Sequence, residues 1–207
     1  GMTRGLVVMT GEQARKAEAL LGGKTPVIRL RCGIDTAYYR EKTQLIDVPE
    51  IHRARVEGLL SEPYVVMPGD ELRFNDDAIR FVEISGIRLV RISQYGYKSG
   101  TDKLKRDAAE RGLGDRLVVF EKIDYSFLRF LLRHASAYAG LVDSTWQPAG
   151  WTVACEALAS GLPMVLYEGL ASREMAENGV ADKLVKTVAM RDVASFTEKL
   201  SMLVASG

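Results

Sequence analysis

Residues 143–163 read DSTWQPAGWTVACEALASGLP, and this stretch decides the fold. It predicts the end of a strand, a loop, a helix that begins at Gly150, a glycine stop at Gly161 and the start of another strand. A repeated strand, loop and helix is typical of a parallel sheet covered on both faces. In open sheets of this kind ligands bind beyond the carboxyl ends of the strands, so the loop before this helix is the first candidate site.

The same alternation continues on both sides of this stretch. We predict a Rossmann-like three-layer α/β sandwich with a mainly parallel sheet. Thr10 is predicted to cap the first helix, with Gln13 completing a capping box, whereas residues 35–47 show no periodicity and are interpreted as a loop. Seven short strands are predicted, at residues 6–9, 26–30, 64–67, 87–92, 116–120, 138–142 and 164–167.

Composition places the chain among ordinary globular proteins. It has 207 residues, of which 47% are hydrophobic and 27% charged. A formal net charge of +1 gives no field that would attract nucleic acid, so no nucleic-acid partner is expected. Because no Pro/Gly/Ser-rich linker divides the chain, we expect a single domain over residues 1–207. Gly1 precedes Met2 and is interpreted as the remnant of a cleaved tag.

Cysteine usage and hydropathy limit where the protein is expected to be located and which cofactors it is expected to hold. Cys32 and Cys155 lack metal-ligand spacing and form no disulfide framework, which favours a reducing cytoplasm. No apolar run approaches the roughly 18 residues of a membrane span, and contact with a membrane surface is left open. His52 and His134 have no partner at catalytic or metal spacing and are expected to be packing or surface residues. Neither a metal nor a resident cofactor is expected.

The start of the helix at Gly150 is suited to a diphosphate. A glycine there lets a ligand approach the backbone, and the N–H groups of Trp151, Thr152 and Val153 would face it with the positive end of the helix dipole. Glu156 follows about one and a half turns later, where a carboxylate can accept hydrogen bonds from two ribose hydroxyls. The alternative is a turn glycine followed by a solvated helical glutamate.

At this helix the sequence resembles a known family. The run EALASGLPMV at residues 156–165 is similar to the "EAMASGLPVV" signature of family-four-like, group 1 retaining glycosyltransferases, which have the two-lobed GT-B architecture. The RCGIDT turn at 31–36 resembles the family's "NGVD" turn, and GLGDRLVVF at 112–120 resembles its "gl.drV.flG.v" stretch. The resemblance implies that residues 6–203 follow the C-terminal, donor-binding lobe in order, and we expect the N-terminal acceptor lobe to lie outside this sequence.

The resemblance implies a nucleotide diphosphate-sugar donor, with Glu156 holding the ribose. It also implies an acceptor lobe, in the same chain or in a partner chain, and carbohydrate biosynthesis as the setting. Lys122 and Ile123 correspond to the segment on which the family seats its nucleobase, partly through backbone groups. A solvated turn is the alternative for these two residues. No catalytic general base is assigned to this chain, which is expected to be inactive as an isolated domain.

Two departures from the family pattern bear on catalysis. Gln147 occupies the position of a glutamate that touches the transferred sugar, but it stands nine positions before Glu156 rather than eight. The family places an Arg and a Lys after the strand at 64–67, whereas this chain has GDELRFNDD at 69–77, which leaves Arg73 to reach phosphate. Arg73 paired with Asp76 or Asp77 at the surface is the alternative.

These departures leave more than one function open. The leading hypothesis is the donor-binding lobe of a glycosyltransferase, located in the cytoplasm or peripherally at a membrane in the full-length protein. The second is a binding or assembly module that kept the fold and lost turnover. A sugar-nucleotide epimerase or phosphorylase of the same two-lobed architecture fits the 156–165 signature less well.

Overall fold

The computed structural model describes residues 5–30, 33–69, 74–93, 98–141, 150–180 and 184–206. The strands within these ranges are β1 (Leu6–Val8), β2 (Val27–Arg29), β3 (Tyr64–Pro68), β4 (Arg88–Ser93), β5 (Leu117–Glu121), β6 (Ala137–Gly140), β7 (Met164–Tyr167) and β8 (Val185–Val188). The α-helices are α1 (Gly11–Leu21), α2 (Thr36–Arg40), α3 (Glu50–Leu59), α4 (Asn75–Ser85), α5 (Lys98–Glu110), α6 (Tyr125–His134), α7 (Trp151–Ala159), α8 (Leu170–Glu177) and α9 (Val193–Ala205). A 3-10 turn spans Leu45–Asp47.

Six of these strands form one parallel sheet in the order β5-β4-β3-β6-β7-β8. The chain starts this sheet at β3 in the centre, builds outward to β5 at one edge, and returns to β6 beside β3. The strand order therefore reverses between β3 and β6. Ligands of open α/β sheets bind in the crevice at such a reversal, beyond the carboxyl ends of the strands.

Both faces of the six-stranded sheet are buried under helices. One core joins Tyr64 and Val66 of β3 to side chains of α2, α3, α6 and α7, with Phe127 and Leu131 fully buried in it. The other core joins alternate residues of the same strands to α4, α5 and α9. Burial on both faces explains why these strands read as continuous apolar runs, and the predicted three-layer sandwich is confirmed.

The last helix completes the second core. α9 packs against β6, β7 and α4. Its residues Phe196 and Leu200 are fully buried there, and Phe196 lies 5.0 Å from Tyr167 between ring centroids. This face of the sheet is therefore closed by residues far along the chain from β3.

The seven predicted strands are present as β1 to β7, but the first two do not belong to the six-stranded sheet. β1 and β2 pair in parallel only with each other. Val7 and Ile28 lie opposite each other in this pair and are 58% and 55% exposed. α1 packs beside the pair, and the predicted capping box between Thr10 and Gln13 is present.

A polar joint ties this small unit to the rest of the molecule. Glu174 of α8 is buried, accepts a hydrogen bond of 2.9 Å from the Gly11 N–H and forms an ion pair with Arg29. Burial raises the pKa of Glu174, but hydrogen bonds from Gly11, Asn178 and Arg29 outweigh it and leave the pKa below its ordinary value. The Glu174 carboxylate is therefore charged at neutral pH and stabilised by its contacts.

Two local predictions also differ from the structure. Residues 35–47 were interpreted as a loop, but Asp35 accepts hydrogen bonds from the Ala37 and Tyr38 N–H groups and starts α2. A five-residue helix is too short to show a period, so this one left no pattern to detect. β8 was missed because it is an edge strand with two exposed or half-exposed middle residues, Lys186 and Thr187.

Candidate functional site

Helix α7 has its N-cap at Gly150, as predicted, and is the helix that follows β6 in the chain. Gly150 is exposed and has φ of +72°, a conformation that glycine adopts without strain. Glycine carries no side-chain oxygen that could cap the N–H groups of Trp151, Thr152 and Val153. Because Thr152 is exposed and the other two are partly exposed, this first turn is open to a ligand. An open helix start of this kind attracts anions.

Glu156 lies on the same helix but is not a solvated residue. Its side chain is buried, with only 5% of the residue exposed. Burial raises the pKa of Glu156, and the Tyr39 hydroxyl of α2 partly offsets that shift. The solvated-glutamate alternative is therefore wrong, because a buried carboxylate needs donors around it.

Tyr39 is the residue of this site that sequence reasoning missed. It lies in the segment that was interpreted as a loop, eight residues after the RCGIDT turn begins. Tyr39 is 5% exposed and packs in the core between α2 and α7. A tyrosine that follows a helix-capping aspartate by four positions was the available signal, since that spacing sets the residue on the first turn of a helix.

Lys122 and Ile123 lie just beyond β5, at the far edge of the sheet from α8. Lys122 has φ of +51°, and its N–H donates to the Ser93 carbonyl at 2.8 Å. Its side chain is exposed, whereas the Ile123 side chain is 7% exposed and belongs to the core. The two residues are separated from the α7 start by β4 and β3, with strands spaced about 4.8 Å apart.

Gln147 and Arg73 lie outside the described residues, so their predicted roles stay predictions. Of the acidic stretch at 69–77, Asp77 is described and buried. It accepts a hydrogen bond of 3.0 Å from the Tyr167 hydroxyl and lies 3.3 Å from an Arg191 nitrogen. These two partners engage Asp77 within the core of the second face.

A small polar cavity lies at the carboxyl ends of β3 and β4. The Asn75 amide donates to the Gly100 carbonyl at 3.1 Å beside it. The cavity has a volume of about 10 Å³, which is room for one water and not for a phosphate. It is lined by Gly69, Asn75, Arg91, Ser93, Gly100, Thr101 and Leu104.

His52 is a partly buried packing residue and His134 a surface residue, within the predicted packing or surface roles. His52 stacks on Phe127 at 5.3 Å between ring centroids, and His134 stacks on Phe130 at 4.2 Å. Among the described residues, no group of three or more His, Cys, Asp or Glu side chains is placed to hold a metal ion. Within the same ranges, none of the helices combines the length and apolar character that crossing a bilayer requires.

Comparison with known proteins gives similarity in structure but not in sequence. Neither a protein-family profile nor a curated protein matches the sequence. HepE from Anabaena, solved in complex with UDP, superimposes with a TM-score of 0.72 at 16% identity over 99% of this chain and 55% of its own. Sucrose-phosphate synthase from Thermosynechococcus elongatus gives 0.68 at 17% identity, covering 96% of this chain and 48% of its own.

A third solved structure is also similar to this chain. The UDP-forming α,α-trehalose-phosphate synthase from Burkholderia vietnamiensis has a TM-score of 0.67 at 16% identity, covering 97% of this chain and 52% of its own. These neighbours are GT-B glycosyltransferases, and the chain has their fold over about half of their length. The predicted fold class is confirmed.

Proposed function

We propose that this chain is the donor-binding lobe of a retaining glycosyltransferase that uses a nucleotide diphosphate-sugar. One observation carries the proposal: a buried carboxylate, Glu156, follows one and a half turns after an open helix start at Gly150. This pair lies at the reversal of strand order in a fold shared with a protein solved with UDP and with UDP-glucose.

The α7 start supplies the diphosphate site in this proposal. The N–H groups of Trp151, Thr152 and Val153 point away from the helix, and the dipole adds positive potential where the phosphoryl oxygens would lie. During transfer, the bond between the anomeric carbon of the donor sugar and the diphosphate oxygen breaks. Negative charge then grows on the departing diphosphate. Preorganised amide donors stabilise that charge, which is the contribution of this helix to catalysis.

Glu156 holds the ribose, and the segment after β5 receives the base. A buried carboxylate bonds hydroxyl donors strongly because no water competes for it. Lys122 and Ile123 would meet the base through the backbone beyond β5. Gln147 would contact the sugar as a neutral amide and Arg73 would reach the phosphate. Retention of anomeric configuration comes from the family resemblance.

The acceptor belongs to a second lobe, and we propose that this lobe packs against the β1–β2 unit. Parallel strands are normally covered on both faces, yet Val7 and Ile28 are more than half exposed. A groove of about 570 Å³ runs between β1 and α1, lined mainly by apolar residues such as Leu6 and Leu20, with Glu12, Gln13 and Lys16 among them. A largely apolar surface rimmed by polar residues is typical of an interaction site. The reaction would take place in the cleft between the two lobes.

A binding module without turnover is the second candidate. Two acids, Asp70 and Glu71, stand in sequence where the family has a cation, and Gln147 replaces a glutamate. Nucleotide binding is expected in both cases. Sugar transfer by a protein that carries both lobes would separate them, because only the enzyme releases nucleoside diphosphate in the presence of an acceptor.

The variant Glu156→Ala tests whether Glu156 binds the ribose. We expect it to weaken binding of a nucleoside diphosphate by about 1–3 kcal/mol, roughly 5- to 150-fold in Kd, because it removes the acceptor of the ribose hydroxyls. Isothermal titration with the diphosphates of uridine, guanosine and adenosine measures this and identifies the base.

The matched control is Glu198→Ala, which removes an exposed glutamate from α9 on the opposite face of the sheet. Thermal unfolding of each variant reports whether the fold is kept. Unchanged affinity in folded Glu156→Ala would contradict the ribose role, and no binding of any of the three diphosphates at millimolar concentration would contradict the function itself.

A further inference from the structure

An arginine from the segment between β8 and α9 reaches the start of α4. Arg191 follows the end of β8 by three residues, and one of its guanidinium nitrogens lies 3.3 Å from the Asp77 carboxylate. The guanidinium also lies over the Phe74 ring, 4.5 Å from its centroid. Phe74 is the N-cap of α4, and Asp77 lies in the first turn. The Arg191 side chain therefore extends from the edge strand of the sheet to the helix that follows β3.

This guanidinium lies beside the crevice in which the proposed function places the donor. β3, β6, β7 and β8 are parallel neighbours, so their carboxyl ends lie at the same edge of the sheet. α4 follows β3 on one face of the sheet, and α7 follows β6 on the other. The two helix starts therefore flank the reversal of strand order, with the Arg191 guanidinium on one side and the open start at Gly150 on the other.

The stretch that leads into α4 is poor in positive charge. Residues 69–77 contain four acidic residues and one arginine, Arg73. A departing diphosphate gains negative charge, so cations that contact it stabilise both the bound donor and the transition state. Arg191 brings such a cation to this place from a distant part of the chain, and its ion pair with Asp77 neutralises one of the four acids.

Arg191 is anchored and is also accessible. The Asp77 carboxylate accepts a hydrogen bond of 3.0 Å from the Tyr167 hydroxyl, and Phe74 is fully buried, so both contacts of the guanidinium are fixed. The Val193 N–H donates to the Arg191 carbonyl at 2.9 Å, which fixes the backbone. The Arg191 side chain is nevertheless 45% exposed. A guanidinium that is already held in place loses little conformational freedom when it binds a phosphate.

The backbone of Arg191 gives an independent indication of function. Its φ is +66°, in the left-handed region that a residue with a Cβ enters at a cost in free energy. In the part of the chain that the structure describes, Lys122 is the other such residue, and the proposed function places it beside the base. Backbone strain of this kind clusters at functional sites.

We propose that Arg191 is a phosphate-binding residue, whose guanidinium contacts the diphosphate of the donor from the side opposite the α7 start. This inference rests on the proposed function. The alternative is that Arg191 only neutralises Asp77, and the two roles predict different effects on binding.

The variant Arg191→Ala tests the proposal with ligands that contain or lack the diphosphate. The diphosphates of uridine, guanosine and adenosine and the three nucleosides are titrated against the unchanged chain and the variant. For the base that binds, we expect the diphosphate to bind the variant roughly 10-fold or more weakly and the nucleoside to bind both chains equally. Arg191→Lys should lose less, because it keeps the charge without the planar guanidinium. Higher salt should narrow the difference, since it screens the attraction between the charges.

A double-mutant cycle separates contact with phosphate from neutralisation of Asp77. Asp77→Asn keeps the shape of that side chain and removes its charge. If Arg191 contacts the diphosphate, Arg191→Ala weakens diphosphate binding in the Asp77→Asn chain as well. If Arg191 only neutralises Asp77, the loss disappears in the Asp77→Asn chain and the proposal is wrong.

The matched control is Arg111→Ala. Arg111 also pairs with an acid of α4, since it lies 2.8 Å from Glu83 and its side chain is 51% exposed. It follows the end of α5, near the amino ends of the strands, so its removal should leave diphosphate binding unchanged. Thermal unfolding shows that the variants compared are folded.

The outcomes distinguish this inference from the proposed function. If a diphosphate binds and Glu156→Ala weakens it but Arg191→Ala does not, the phosphate role is wrong and the function stands. An equal loss for the diphosphate and its nucleoside would also overturn the role, because the defect would then lie away from the phosphates. If the unchanged chain binds none of the three diphosphates, the proposed function fails and the role of Arg191 fails with it.

Discussion

The β1–β2 pair and the six-stranded sheet are built from the same kinds of residues but differ in how much of their side-chain surface is buried. Tyr64, Val65 and Val66 of β3 are at most 1% exposed, whereas Val7 of β1 and Ile28 of β2 are more than half exposed. The larger sheet has helices over both faces, and the pair has α1 beside it. An apolar β-branched run therefore predicts a strand, but what covers that strand is decided by elements elsewhere in the chain.

The largest expected difference between the two regions is in the cost of deleting a side chain. Phe127 is fully buried and meets Phe120 edge to face, with 5.0 Å between the ring centroids. We expect Phe127→Ala to lower the free energy of unfolding by about 3–5 kcal/mol, and Ile28→Ala to change it by about 0.5 kcal/mol or less. Urea unfolding of both variants measures this. Equal losses would show that the β1–β2 pair is as well covered as the main core.

A smaller effect is expected at the joint between the regions. Glu174→Ala removes the acceptor of the Gly11 N–H and the partner of Arg29, and should cost about 1–3 kcal/mol. Amide hydrogen exchange should speed up in β1 and β2 and stay slow in β3 and β4. Glu177→Ala is the control, because its pair with Arg15 is largely exposed and screened by water, so its loss should leave exchange in β1 and β2 unchanged. Uniform acceleration in all four strands would mean that the two regions unfold together.

The smallest effect is expected for a charge on the outer face of the pair. Ile28→Lys should change the free energy of unfolding by about 0.5 kcal/mol or less, because the side chain stays in water. Val65→Lys, at a fully buried position of β3, should prevent folding. Circular dichroism and urea unfolding compare the two. A large loss for Ile28→Lys would indicate that a second copy covers this face, which sedimentation equilibrium would detect.

The periodic parts of the fold could be predicted from sequence. Five of the six strands of the main sheet and the helices α4, α6 and α9 carry apolar patterns, and Thr10 with Gln13 marks the start of α1. The separation of β1 and β2 from the main sheet could not be predicted, because strand pairing depends on contacts between residues distant in the chain. The helix α2 escapes prediction because five residues are too few to establish a helical period, and β8 because its middle residues, Lys186 and Thr187, are polar.

The candidate site was predictable in part for a similar reason. Gly150 and Glu156 lie six positions apart on one helix, so their spacing is local and visible in the sequence. Glu156 is buried where α2 packs against α7, and α2 carries Tyr39, which is 117 positions earlier in the chain. Sequence reasoning could therefore locate the carboxylate but could not predict the helix that packs beside it.

The position of α9 has a consequence for synthesis of the chain on the ribosome. One face of the sheet is covered by α2, α3, α6 and α7, and the synthesis of all four helices is complete once residue 159 has been added. The opposite face is covered by α4, α5 and α9, and its part over β6 and β7 needs Phe196 and Leu200, so the nascent chain leaves that part exposed until residues 193–205 have left the exit tunnel. If translation stalled before α9, the nascent chain would expose a half-covered sheet. A chaperone that binds exposed apolar surface would recognise this form.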